Sequence, residues 1–195
     1  MPQMTTLLRP GAPAPDFRIL DSAGHVHTLG RCRRQGRNVA LFFFRGTWCR
    51  TCRQQITLLS RHYPALTDRG WTIAAITSQT SSAVATFVEK NQVPFPILID
   101  ADRAVSKQYG VYTGFQVEGI GAPTVNGPQN ATFLIDNAGV LWFAYVGVAS
   151  TDVPDESTLL GAMMQIEREL EVAPSPNTPA AGSLAQGAWQ PGRPG

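Results

Sequence analysis

The sequence predicts an α/β domain: a central mixed sheet with helices on both faces and an N-terminal β extension. Three observations predict it. Two continuous apolar runs, residues 39–44 and 71–77, read as strands buried on both faces of a sheet. A helical pattern lies between them, and a strand–helix–strand unit implies parallel pairing with a right-handed crossover. Two later apolar runs, residues 131–136 and 140–146, flank the turn Asn137-Ala138-Gly139 as a hairpin, and an amphipathic helix follows.

Taken in chain order, residues 11–21 read as an extended lead-in, 22–24 as a turn and 25–29 as a short return strand. Residues 31–38 are polar and read as a loop before the first buried strand. After that strand, Cys52, Ile56, Leu59, Tyr63 and Leu66 recur every three or four residues, which lines one helix face, and Pro64 is expected to kink or end that helix. Gly70 separates it from the strand at 71–77. Ser81 or Ser82 is the expected cap of a helix reaching about Asn91, with Val84, Phe87 and Val88 inward. Residues 97–100 form a short apolar segment, 104–109 a short helix ended by Gly110, and 112–130, rich in Gly, Pro and Asn, a long loop. Residues 155–171 carry the closing helix, with Leu159, Leu160, Met163, Ile166 and Leu170 apolar.

Composition sets limits on the class of protein. At 195 residues, 43% hydrophobic and 15% charged, the chain has the makings of one globular core and too little charge for a disordered one. The expected division is a flexible N-terminus over 1–10, one domain over 11–172 and a Pro/Gly-rich disordered tail over 173–195. No apolar run has the length of a membrane span, and the first ten residues lack the basic start and apolar stretch of a secretory signal, so a cytoplasmic location is expected. The net charge of +2 hides an asymmetry: residues 22–67 contain eight arginines and no Asp or Glu, and acids predominate afterwards. No aromatic-interleaved basic module accompanies them, so nucleic acid is not an expected partner.

Chemistry is expected at Cys49-Arg50-Thr51-Cys52, in the middle of that basic stretch. Three cysteines, two of them in a C-x-x-C, suit catalysis or metal binding in a reducing compartment better than a disulfide framework. A cysteine between a strand end and a helix's first turn meets unpaired N–H groups and the positive end of the helix dipole, which favour thiolate. Arg45, Arg50 and Arg53 add charge of the same sense. Either Cys49 or Cys52 can be the attacking thiol, with the other resolving the mixed disulfide. Arg45 is the candidate to stabilise the thiolate and a leaving oxygen, and Thr47 and Trp48 would shape the mouth. The competing reading is half a zinc site completed by His25, His27, His62 or Cys32, but Cys52 already belongs to a helix face, and neither metal nor cofactor is expected. Cys32 reads as a free thiol outside the cycle, with a bond to a partner or to the pair as the alternative.

Several segments share an order and spacing with one family. They are Gly11-Ala12-Pro13-Ala14-Pro15-Asp16-Phe17, Phe42-Phe43-Phe44 with Arg45-Gly46-Thr47-Trp48-Cys49, Pro94-Phe95-Pro96-Ile97-Leu98-Ile99-Asp100 with Tyr109-Gly110-Val111, and Thr132-Phe133-Leu134-Ile135-Asp136 with Gly139. Over about residues 11 to 171 the chain resembles the alkyl hydroperoxide reductase/thiol-specific antioxidant family, the peroxiredoxin-like branch of the thioredoxin superfamily. The resemblance implies a thioredoxin-like fold and a thiol peroxidase or related thiol–disulfide oxidoreductase, acting on a peroxide or disulfide and recycled by thioredoxin, glutaredoxin or glutathione. The chain departs from the family's Pro-x-x-x-Thr/Ser-x-x-Cys pattern: Gly46 and Phe42 hold the Thr and Pro places counted from Cys49, and Cys49 and Arg45 hold them counted from Cys52. The pair follows the Trp-Cys-x-x-Cys pattern of thioredoxins instead. Yet Asn130 stands where those proteins place a cis-proline, and Phe43 stands for their buried acid. Two alternatives stay open beside the peroxidase reading: a general protein-disulfide reductase, and a non-enzymatic redox-sensing or partner-binding module that uses residues 112–130.

Overall fold

The computed structural model describes residues 8–116, 124–149 and 151–172. The tail expected over 173–195 lies outside the described residues, as do residues 1–7 of the expected flexible N-terminus. The short strands β1 (Arg18–Leu20) and β2 (Val26–Thr28) pair antiparallel and form the N-terminal extension. A five-stranded mixed sheet follows, built from β3 (Asn38–Phe43), β4 (Trp71–Thr77), β5 (Ile97–Ile99), β8 (Ala131–Ile135) and β9 (Leu141–Val146) in the order β5-β4-β3-β8-β9. β3, β4 and β5 run parallel, and β8 and β9 return antiparallel, so the mixed α/β sheet has the expected form.

Every residue of β3, β4 and β8 is buried, which is why these strands read as unbroken apolar runs. Their side chains alternate between two cores. On one face Ala40, Phe42, Ile73, Ala75 and Leu134 meet α2 (Arg50–Asp68), Val84 of α3 (Ser81–Asn91), and Leu159, Met163 and Ile166 of α5 (Glu156–Val172). On the other, Leu41, Phe43, Ile76 and Phe133 meet Phe17, Ile19, Leu29 and Cys32 of the N-terminal segment, with Val105 and Tyr109 around α4 (Ala104–Gln108). Each fully buried Leu, Ile or Phe in these layers contributes about 1.5–3 kcal/mol. No helix among the described residues is long and apolar enough to cross a membrane.

Four expectations need correction. Residues 31–38 are not all loop: α1 (Leu29–Arg34) forms there, capped by the Thr28 hydroxyl, which accepts the Arg31 N–H at 3.0 Å. Its buried anchors, Leu29 and Cys32, are three apart, and its arginines lie in the last turn, where the helix dipole favours them. Pro64 does not end α2. The helix continues to Asp68 because Leu66 is buried beyond the proline and Arg37 donates to the Thr67 carbonyl at 2.9 Å. Neither Ser81 nor Ser82 caps α3, whose N-cap is Thr80, without a side-chain hydrogen bond. Much of 112–130 is an antiparallel ribbon of β6 (Tyr112–Gln116) and β7 (Thr124–Pro128), with 117–123 outside the described residues. Backbone pairing creates that ribbon, and Pro128, which has no N–H to give, sits at its last pair, opposite Tyr112.

Candidate active site

Parallel β3 and β4 deliver their C-terminal ends to one edge of the sheet, where loops converge and ligands are usually handled. Phe44 still pairs through its N–H with the Ile76 carbonyl at 3.0 Å. The chain then turns through residues 45–48, and Cys49 becomes the N-cap of α2. Its extended backbone lets the side chain fold back over the helix mouth, so that Cys49 Sγ accepts the Cys52 N–H at 3.3 Å. An oxygen normally fills this position in a helix cap; here a sulfur does, and a thiolate there gains from both the N–H and the dipole. Cys49 and Cys52 are joined as a disulfide across the first turn, their Cα atoms 5.2 Å apart. Cys49 is 7% exposed and Cys52 1%, so the first sulfur lies nearer solvent.

The loop before the pair is pinned from three sides. The Arg45 guanidinium lies 5.0 Å from the centroid of the Trp48 ring, a cation–π contact. Gly46 lies beneath the indole, where an added Cβ would come within 2.4 Å of Trp48 Nε1, so the close approach requires glycine. Thr47 donates its N–H to Gln79 Oε1 at 2.6 Å, tying the loop to the segment that follows β4. Trp48 itself stays 60% exposed at the rim.

Asn130 completes the floor. It is buried just before β8, and its Oδ1 lies 3.3 Å from Cys52 Sγ, placed to accept a hydrogen bond from the reduced thiol. Its carbonyl accepts the Gly147 N–H at 2.9 Å. Gly147 is pressed against the backbone, since a Cβ there would stand 2.3 Å from the Asp152 carbonyl oxygen. The loop after β9 therefore holds Asn130 against the pair.

Thus Cys49, Cys52, Thr47, Trp48, Arg45 and Asn130 are gathered at one end of the sheet, with Arg45 positioned on Trp48. Phe43, at the place of a buried acid, is packed among Tyr109 and Phe133, with ring centroids 5.3 and 5.7 Å away. Gln79 and Gly147 escaped sequence reasoning. The one signal for Gln79 was its place directly after a buried parallel strand, where site residues collect.

The other candidate ligands have partners elsewhere. His25 and His27 both bind the Asp21 carboxylate, at 3.2 and 2.9 Å, and His62 binds Glu156 at 2.6 Å. Cys32 faces the opposite core from the pair, and burial pushes its thiol up to about 11. A bond between Cys32 and the pair is therefore closed off by the sheet itself. Among the described residues, no group of three or more His, Cys, Asp or Glu side chains is arranged to hold a metal ion.

The sequence model of the AhpC/TSA family matches residues 10–144. A protein named thiol-disulfide oxidoreductase ResA from Geobacillus kaustophilus (strain HTA426) is 33% identical over 135 residues, covering 69% of this chain and 67% of the relative. One named putative peroxiredoxin Rv2521 from Mycobacterium tuberculosis (strain ATCC 25618 / H37Rv) is 29% identical over 168 residues, covering 86% of this chain and 98% of the relative. Among solved structures, peroxidoxin BcpB from Mycobacterium tuberculosis superposes with a TM-score of 0.66 at 20% identity, over 86% of this chain and 99% of that one. Peroxiredoxin Q from Xanthomonas campestris does so with a TM-score of 0.65 at 18% identity, over 86% and 97%. The fold is thus thioredoxin-like, of the peroxiredoxin kind.

Proposed function

Because the chain belongs to the AhpC/TSA family, we propose that the Cys49–Cys52 pair carries out its chemistry, with Cys49 attacking and Cys52 resolving. The protein is a thiol-dependent oxidoreductase acting on peroxides or disulfides. The observation that supports the assignment of roles is the capping geometry. Cys49 Sγ receives the Cys52 N–H at the positive end of α2, whereas Cys52 is the more buried and faces an acceptor, Asn130 Oδ1.

With a disulfide substrate, the Cys49 thiolate attacks one sulfur and expels the other as a thiolate. Cys52, giving up its proton, then attacks Cys49 Sγ, releases the second substrate thiol and closes Cys49–Cys52. With a peroxide, Cys49 takes the terminal oxygen to become a sulfenic acid and an alcohol or water leaves; Cys52 condenses with the sulfenic acid and expels water. Either way two external thiol groups, from one dithiol or from two glutathione molecules, return two electrons and end as a disulfide, with thioredoxin, glutaredoxin or glutathione in a cytoplasmic thiol pool as the reductants of this reading. Gly46 and Phe42 in place of the peroxidase motif's Thr and Pro favour the disulfide as substrate.

Stopped-flow oxidation of the reduced protein by hydrogen peroxide and by a model disulfide, followed by mass spectrometry of all three cysteines, tests the proposal. Oxidation confined to Cys49 and Cys52, abolished as turnover by Cys49→Ser and by Cys52→Ser, is expected. Full turnover in both variants would refute it.

A further inference from the structure

Helix α2 carries positive charge where a helix tolerates it least. Its first turn holds Arg50 and Arg53 and no acid, against the positive end of the helix dipole. Both side chains are exposed, and neither forms an ion pair among the described residues, whereas Arg61 and Arg69 further along the chain reach Glu156 and Glu167. Arg37, from the same basic stretch, is absorbed by the fold through the carbonyls of Thr67 and Trp71. Among the described residues, no acidic side chain neutralises Arg50 or Arg53.

A second, independent feature borders the same pair. Among the described residues, the two most exposed large apolar side chains are Val148, at 90%, and Trp48, at 60%. Trp48 directly precedes Cys49 and is held in place between Arg45 and Gly46. Val148 follows Gly147, whose N–H binds the Asn130 carbonyl, and Asn130 touches Cys52. Trp48 thus adjoins Cys49 in sequence, Val148 lies on the loop whose Gly147 is bonded to Asn130, and Arg50 and Arg53 stand in the first turn of α2. A small thiol or peroxide gains nothing from an exposed indole beside Cys49, whereas exposed Trp with Arg nearby is the composition of a protein contact.

We propose that Arg50 and Arg53 select by charge the protein dithiol with which the pair exchanges electrons, a partner whose reacting cysteine is bordered by Asp and Glu. This rests on the dithiol-exchange reading above. The partner's thiolate attacks Cys49 Sγ, and Cys52 leaves as a thiolate and takes a proton. The partner's second thiol, deprotonated, then attacks its own sulfur in the mixed disulfide and frees the Cys49 thiolate. Two electrons pass to the chain, and the partner ends as a disulfide.

The test compares second-order rate constants for reduction of the oxidised full chain by four reductants at low and high salt. They are a thioredoxin with acidic residues around its active cysteine, the same protein with those residues changed to Lys, uncharged dithiothreitol, and glutathione as a small anionic thiol. Dividing each rate by the dithiothreitol rate cancels any effect of the arginines on the sulfurs themselves. In the Arg50→Glu/Arg53→Glu variant the ratio for the acidic protein is expected to fall about tenfold or more at low salt and to converge with wild type at high salt. The Lys-bearing protein should show the reverse order. The variant places acids where the helix dipole welcomes them, so it should fold, and circular dichroism verifies that. An unchanged ratio overturns the proposal. So does an equal fall for glutathione, which would mean that any small anion is selected. An oxidised chain that dithiothreitol itself cannot reduce would instead overturn the exchange reading.

Discussion

Gln79 Oε1 accepts the Thr47 N–H at 2.6 Å, joining the end of β4 to the loop that presents Cys49 across 32 residues of sequence. Losing such a bond costs about 1 kcal/mol, and here it also frees the peptide that orients Trp48 and Cys49. Gln79→Ala is expected to slow disulfide reduction by dithiothreitol several-fold. Gln79→Glu keeps an acceptor at the same place and should retain most of the rate. Stopped-flow traces for the two variants, beside their melting curves, decide the matter: equal rates in both would leave the contact without a positioning role.

Asn130 presents a neutral acceptor to Cys52. Changing Asn130→Asp puts a carboxylate against the sulfur, which opposes a second negative charge there. In a Cys49→Ser background, alkylation of Cys52 by iodoacetamide at neutral pH should be several-fold slower in the Asp variant than with Asn130. The neighbouring backbone is equally constrained. Gly147→Ala forces a Cβ to within 2.3 Å of the Asp152 carbonyl oxygen and should destabilise the protein by about 1–3 kcal/mol, read by urea denaturation.

Cys32 makes a prediction at alkaline pH. Its thiol ionises at about 11 in the fold, against 9.0 when unburied. The folded state thus holds a proton that the unfolded state releases, so stability is complete below about pH 9 and falls as the pH rises toward 11. The total loss from this group is on the order of 3 kcal/mol. Cys32→Ala should flatten that slope, and in the wild type Cys32 should resist alkylation at neutral pH until the chain unfolds. Rapid labelling of native Cys32 would contradict the burial.

At acid pH the N-terminal extension is the vulnerable part. Burial alone would raise the Asp21 carboxyl, but hydrogen bonds from His27 and His25 outweigh it and hold it below the usual carboxylate range. Burial pushes His27 below the ordinary imidazole value, against the pull of Asp21. Both shifts have the same consequence. The unfolded chain takes up protons first, so stability is lost as the pH falls through the imidazole range and then through the carboxylate range. Hydrogen-exchange protection factors of β1 and β2, referred to the intrinsic rate at each pH, should fall between about pH 7 and pH 4 before those of β3 and β4 do, and His27→Asn should remove the first part of the change. Simultaneous loss of protection in both sheets would refute a local effect.

What the sequence disclosed follows the physics of each element. β3, β4 and β8 were legible because burial on both faces demands unbroken apolar runs, and the dithiol because C-x-x-C at a strand–helix junction has few other uses. α1 was hidden because only Leu29 and Cys32 face inward, two anchors in a string of arginines. The β6–β7 ribbon was hidden because its pairing is between backbones, which composition does not announce. Pro64 gave a true local signal that tertiary anchors at Leu66 and Thr67 override. Gln79 and Gly147 matter only through contacts with distant segments, so no local pattern marks them.

A sulfur in the cap of α2 also makes redox state and folding free energy one account. A thiolate at the cap would be rewarded by the dipole and the Cys52 N–H, whereas the oxidised pair is a neutral bridge. By thermodynamic closure, every calorie by which the helix mouth favours the reduced fold over the oxidised one must reappear as electron affinity. About 30 mV of reduction potential corresponds to roughly 1.4 kcal/mol for this two-electron couple. The first turn of α2 is therefore a dial on the oxidising strength of the protein: substitutions that change how well it seats a thiolate should move potential and melting temperature together.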